Sequence, residues 1–138
     1  LAGYPVGFII APIFCFEGWQ NEYRMLFEIL HNNLPVDAKA NLTFEFITHR
    51  FTKRAKLNIL DIFPRTTLPM DPGERNFKFG QFGYGKYVYR QSAMEQIKDF
   101  MRQETLRLFP CAKIEYPKLK IEMQPLSPRK EMLWKQNS

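Results

Sequence analysis

Gly80-x-x-x-x-Gly85-Lys86 has the opening spacing of a phosphate-binding loop. Such a loop needs Ser or Thr next, to hold Mg²⁺, and a helix whose N-terminus faces the phosphates. Here Tyr87 follows and Lys86-Tyr-Val-Tyr89 is strand-like, so nucleotide binding is not expected. The glycines run GxxGxG, which also breaks the dinucleotide fingerprint GxGxxG. Cys15 and Cys111 are far apart, without CxxC or metal-type spacing, as in a reduced cytosolic protein. Cys15 lies just past a strand, where α/β proteins often place function, but it reads first as a small buried residue. His31 and His49 lack an HExxH context and read as structural or solvent-facing. Asn41-Leu42-Thr43 is a glycosylation sequon by pattern only, and no carboxylate pair stands out for acid–base work.

Two constellations remain. Arg50, Lys53, Arg54 and Lys56 put four cations in seven residues. On a helix Lys53 and Lys56 share a face, as do Arg50 and Arg54. Cations at a helix start oppose the macrodipole, which suits either an anionic partner or a solvated basic face. In the second, Phe77, Phe79, Phe82, Tyr84, Tyr87 and Tyr89 alternate with Lys78 and Lys86, flanked by Arg75 and Arg90. Cations neutralise phosphates, and aromatic rings stack on bases or wedge between them. The plainer reading is a twisted hairpin with one aromatic face on the core. Alternation lets both hold, since only half the side chains need be buried.

These residues need elements to hold them. Val6 to Phe14 is a short apolar run that suits a strand buried on both faces, as in a parallel sheet. A helix follows from Glu17 to His31, with Trp19, Tyr23, Leu26, Phe27 and Leu30 as its apolar stripe; Asn32, Asn33 and Pro35 stop it. Leu42 to Ile47 alternates as a second strand, and Thr52 caps a short helix to about Asp61. Residues from Pro64 to Glu74 hold three prolines and a glycine and form a loop. Asn76 to about Arg90 is a β-hairpin around Gly80, Gly83 and Gly85. Ser92-x-x-Glu95 is a capping-box pattern for a helix marked by Met94, Ile97, Met101 and Leu108 and ended by Pro110. Lys113 to Tyr116 is a last strand, and residues 117–138 are an extended tail.

The chain has 138 residues, 45% hydrophobic and 25% charged, enough for one domain of class α/β spanning 1–116. Its net charge is +6, but residues 1–116 hold fifteen Lys and Arg against twelve Asp and Glu. The body is mildly basic, so a nucleic-acid site must come from local clustering. No apolar run spans a membrane and no signal peptide is visible. An opening without Met that leads at once into a strand reads as a fragment.

Phe46-Ile-Thr-His-Arg-Phe-Thr-Lys-Arg-Ala-Lys56 resembles the HRFT-x-x-AK segment of spore photoproduct lyases. Phe79-Gly-Gln-Phe-Gly-Tyr-Gly-Lys-Tyr-Val-Tyr89 is similar to that family's hairpin, WGRYGxGKYVY. Gly7 to Ile13 with Glu17-Gly-Trp19, and Phe109 to Tyr116, match its flanking segments, so the resemblance covers 3–116. It implies the last βα units of a partial (β/α)6 barrel of the radical S-adenosylmethionine (SAM) class, plus a DNA hairpin and a C-terminal helix. It also implies a [4Fe-4S] cluster on CxxxCxxC, SAM cleavage to a 5′-deoxyadenosyl radical, and reversal of the spore photoproduct, a UV-induced thymine–thymine lesion, to two thymines. A cysteine then returns a hydrogen atom.

The chain has no CxxxCxxC, and neither Cys15 nor Cys111 matches the family's cysteines, which lie upstream. The resemblance therefore implies that the cluster ligands sit in a missing N-terminal half, that this chain alone is inactive, and that it holds no catalytic or metal residue. Ala11 is implied near SAM. Gln81, Phe82, Lys86, Tyr87 and Tyr89 are implied at damaged DNA or bracing the hairpin, and Lys78 and Tyr84 from the hairpin pattern, with Arg50 and Lys53 from the basic cluster, join them as DNA-binding candidates. Gln81-Phe82 replaces the family's Arg-Tyr, keeping the ring while losing a cation and a hydroxyl, which leaves room for a related lesion. The setting expected is cytoplasmic and without a membrane partner. The alternatives are a non-catalytic DNA-binding module or relict, and a plain α/β domain with an aromatic core. Open sheet edges predict marginal solubility of the isolated chain.

Overall fold

A computed structural model describes residues 3–80 and 84–116. The expected tail at 117–138 and the hairpin positions Gln81, Phe82 and Gly83 lie outside the described residues. Three parallel strands form the main sheet in the order β1 (Val6–Ile13), β2 (Leu42–Thr48), β5 (Lys113–Glu115). Helix α1 (Trp19–Asn33), the single turn α2 (Val36–Lys39) and α3 (Lys53–Ile62) fall between them in the chain. A hairpin of β3 (Arg75–Phe79) and β4 (Gly85–Tyr89) then leads directly into α4 (Gln91–Leu108).

The core lies between one face of the sheet and the pair α1 and α4. Phe44 sits at its centre, with ring centroids of Phe8, Phe27, Phe46 and Phe109 within 5.2–6.1 Å. Trp19 and Phe27 come from α1, Ile97 and Met101 from α4, and Ile10 and Ile13 from β1. Each such side chain contributes roughly 1.5–3 kcal/mol when fully buried. At the edge of this interface Glu104 of α4 is itself buried and is held by Arg24 of α1 at 3.2 Å and Arg107 at 2.6 Å.

β1 departs from the expectation of burial on both faces. Ile9 is 67% exposed and Val6 45%, while Ile10 and Ile13 are buried. β1 is an edge strand, and among the described residues α1 and α4 cover only one face of the sheet. The opposite face carries Gly7, Ile9 and Ala11 beside Thr43 and Glu45. The register shifts between Ile10 and Ile13, so Ala11 sits in a bulge.

Helix starts differ too. α1 begins two residues late, because Gly18, at φ 80°, is its cap. It ends at Asn33, whose Nδ2 donates to the Ile29 carbonyl at 2.7 Å. Thr52 caps α3 as expected, its Oγ1 accepting from the Ala55 amide at 3.0 Å. The Ser92–Glu95 capping box does not form. α4 starts at Gln91, with Arg90 as its cap, so Ser92 is already inside the first turn, and the Gln91 side-chain Nε2 donates to Glu95 instead. The predicted loop holds a 3-10 turn at Pro72–Glu74, capped by Asp71. No helix among the described residues is long and apolar enough to cross a membrane.

Candidate nucleic-acid interface

The hairpin sorts its residues by face. Arg75 pairs with Tyr89, Phe77 with Tyr87 and Phe79 with Gly85, so these six share one side. Asn76 pairs with Val88, and Lys78 directly with Lys86, on the other. The aromatic side closes over glycine: a Cβ on Gly85 would land inside the Phe77 ring. Phe77 meets Phe79 edge-on at 4.9 Å and Tyr87 at 5.2 Å. Outward from there the rings stay open, with Phe79 79% and Tyr84 77% exposed.

A third short segment extends the hairpin. Phe51 and Tyr87 exchange both backbone bonds, at 3.1 and 2.7 Å, and their rings stack at 5.1 Å. Alternation then puts Arg50, one residue earlier, on the side of Lys86 and Lys78. Lys53 opens α3 just beyond, exposed, with no acidic residue in the first turn. Lys78 and Lys86 thus face one another on one side of the hairpin, and Arg50 and Lys53 flank the segment that bridges to it. Arg50 precedes the helix, so the shared helical face expected for Arg50 and Arg54 does not exist.

Behind the aromatic face lies a buried cation. Arg75 is only 6% exposed. Its Nη1 donates to the His49 carbonyl and its Nη2 to the Pro69 carbonyl, both at 2.9 Å. The guanidinium lies 3.5 Å from the centroid of the Tyr89 ring and 5.4 Å from that of Phe51. Tyr89 in turn accepts from the Cys15 amide at 2.9 Å, just past β1. Tyr23 accepts from Phe14 next door, at 3.0 Å. His49 stacks between Phe14 (4.3 Å) and Phe51 (5.8 Å), with Nδ1 3.4 Å from Arg75 Nη2. Burial, then the Arg75 charge, push His49 down from 6.5 to about 4, so the ring is neutral near pH 7 and Nδ1 accepts. Burial raises the Cys15 thiol and the Tyr89 phenol, each opposed by Arg75.

The spore photoproduct lyase family model matches residues 1–118. The chain belongs to the spore photoproduct lyase family. It is 46% identical over 115 residues to the spore photoproduct lyase of Bacillus subtilis and 47% identical over 115 residues to that of Clostridium acetobutylicum. Those alignments cover 83% of this chain and 34% and 33% of the relatives, so the chain spans about a third of their length. A solved spore photoproduct lyase complexed with dinucleoside spore photoproduct superposes with a TM-score of 0.78 at 42% identity, covering 83% of this chain and 34% of that one. A mutant with bound AdoMet and dinucleoside spore photoproduct gives 0.77 at 43%, covering 82% and 33%.

Within this family member the predicted site residues fall into separate places. Lys78 and Lys86 pair on one side of the hairpin, and Arg50 and Lys53 lie either side of the Phe51 bridge in the chain. Tyr87 braces the opposite side, half-buried between Phe51 and Phe77. Tyr84 stands free beside the undescribed tip. Ala11 lies elsewhere, on the bulge of β1, beside an open apolar hollow of about 330 Å³ lined by residues including Phe8, Tyr23, Leu26 and Leu30. Among the described residues no three His, Cys, Asp or Glu side chains converge, so these residues do not fit an iron–sulfur cluster.

Sequence reasoning missed Arg75 and His49 as a pair. One signal was available for Arg75: it alternates in register with Phe77 and Phe79, which marks a cation on the aromatic side rather than with Lys78. For His49 the local signal is weak, because Arg75 comes from the hairpin and Phe14 from just past β1, and only Phe51 is near in the chain.

Proposed function

We propose that this chain is the DNA-gripping, C-terminal portion of a spore photoproduct lyase, a radical SAM enzyme that returns UV-induced spore photoproduct in DNA to two thymines. The observation that carries this reading is the facing of Lys78 and Lys86. Like charges directly opposite in a hairpin destabilise it. Among the described residues neither lysine makes an ion pair. A phosphate between them removes the penalty, and Arg50 and Lys53 extend the same track along a backbone. The open Phe79 and Tyr84 rings offer stacking surface nearby.

The parallel sheet with helices on one face is consistent with the last βα units of a partial (β/α)6 barrel. On this reading the preceding strand pairs with the open edge of β1, its helix fills the hollow against α1, and the bare face lines the lumen. Ala11 then offers SAM a close backbone approach. The cluster thiolates come from chain outside this stretch, which alone is inactive, and the setting is cytoplasmic. Gln81-Phe82, between β3 and β4 in the chain, bears on which lesion is recognised.

The test is duplex affinity against salt for the full-length protein and its Lys78→Ala and Lys86→Ala variants. Each substitution is expected to lower the salt slope by about one and weaken all sequences alike. Unchanged affinity and slope in both variants would remove the hairpin from the DNA site.

A further inference from the structure

We infer that Arg75 is a positioning residue: it locks the hairpin to the carboxyl ends of β1 and β2, and so sets where Lys78 and Lys86 meet DNA. The inference rests on the DNA reading above for its consequence, but its geometry stands apart from it. A two-stranded hairpin holds no fixed orientation by itself. This one is tied to the sheet through few points. Phe51 and Tyr87 form a single bridge, and the Tyr89 hydroxyl holds the Cys15 amide just past β1. Arg75 joins the rest, bonding the carbonyl of His49 just past β2 and that of Pro69 in the loop while lying on the Tyr89 ring of β4. One guanidinium therefore touches the loop, the sheet end and both hairpin arms.

Only arginine does this. Its planar fork reaches two carbonyls while its face stacks on a ring, whereas an ammonium is a point charge with neither plane nor fork. The carboxyl ends of parallel strands are where α/β proteins bind ligands. A brace there fixes the distance between that end of the sheet and the basic face of the hairpin. Lys78 and Lys86 point away from Arg75, so its loss leaves the phosphate contacts chemically intact and disturbs only their placement.

The experiment compares Arg75→Lys with wild type in the full-length protein. Amide hydrogen exchange reads the Tyr87 and Gly80 amides of the hairpin against the Phe44 and Phe46 amides of β2. The same proteins are titrated with undamaged duplex and with duplex carrying one spore photoproduct. Expected are hairpin exchange faster by about tenfold, sheet exchange unchanged, and lesion affinity down about tenfold with a smaller loss on undamaged duplex. Tyr89→Leu removes both the ring under the guanidinium and the hydroxyl that accepts from the Cys15 amide, and is expected to speed hairpin exchange further. Unchanged hairpin exchange in Arg75→Lys overturns the inference. So does equal acceleration in sheet and hairpin, or equal loss on both duplexes, because Arg75 is then a general core residue. Faster hairpin exchange in a protein whose wild type binds neither duplex overturns the DNA reading and leaves the brace standing.

Discussion

Arg75 and His49 show how one buried cation organises a neighbourhood. The guanidinium is supplied with two carbonyls and a ring, and His49 beside it is held neutral. The unfolded chain takes up a proton on His49 near pH 6.5 and the folded chain only near 4. Between those values the unfolded state binds more protons, so stability is full above about pH 6.5 and falls as pH drops toward 4. Thermal melts across that window are expected to show this loss in wild type. His49→Gln keeps an acceptor for Arg75 without titrating, and is expected to show a flatter profile. Equal slopes would mean that Arg75 does not face a titrating ring. Little of this was legible in the sequence. Lys78 and Lys86 stand out by type, whereas His49 acquires its role from Arg75, 26 positions away.

At the scale of elements, the hairpin was legible because its pattern is local. Alternating rings and lysines around glycines fix both arms, and the structure adds only Arg75 to the first and Gly85 to the second. Gly85 is required by packing. Gly85→Ala is expected to destabilise the hairpin by about 1–3 kcal/mol by forcing the Phe77 ring aside. Adding Phe77→Ala should recover part of that loss, which a double-mutant cycle measures. Helix starts were less legible. The Ser92–Glu95 pattern is a good local signal, but β4 hands the chain to α4 two residues too early for it to form. β1 misled for another reason. An apolar run reports what a strand is built to be covered by, and here Ile9 is open because no described element lies over it.

Among the described residues the fold has a finished side and an open side. α1 and α4 seal one face of the sheet, while Ile9 and the edge of β1 stay exposed. Exposed apolar strand edges template association. The chain expressed alone is therefore expected to self-associate, with oligomers rising with concentration in size-exclusion chromatography. Val6→Lys together with Ile9→Lys should reduce this. A monomer at all concentrations would mean that the edge is protected.

If the basic face of this chain grips DNA for repair carried out with the rest of a spore photoproduct lyase, repair of duplex must depend on its lysines. The most direct test is repair by the full-length protein, assayed anaerobically with SAM and a reductant on two substrates. One is duplex carrying spore photoproduct, and the other is the dinucleoside lesion, which lacks flanking phosphates. Lys78→Ala combined with Lys86→Ala is expected to raise KM for the duplex and to leave turnover of the dinucleoside lesion unchanged. Equal loss on both substrates would contradict it, because the lysines would then serve the fold or the chemistry rather than the DNA backbone.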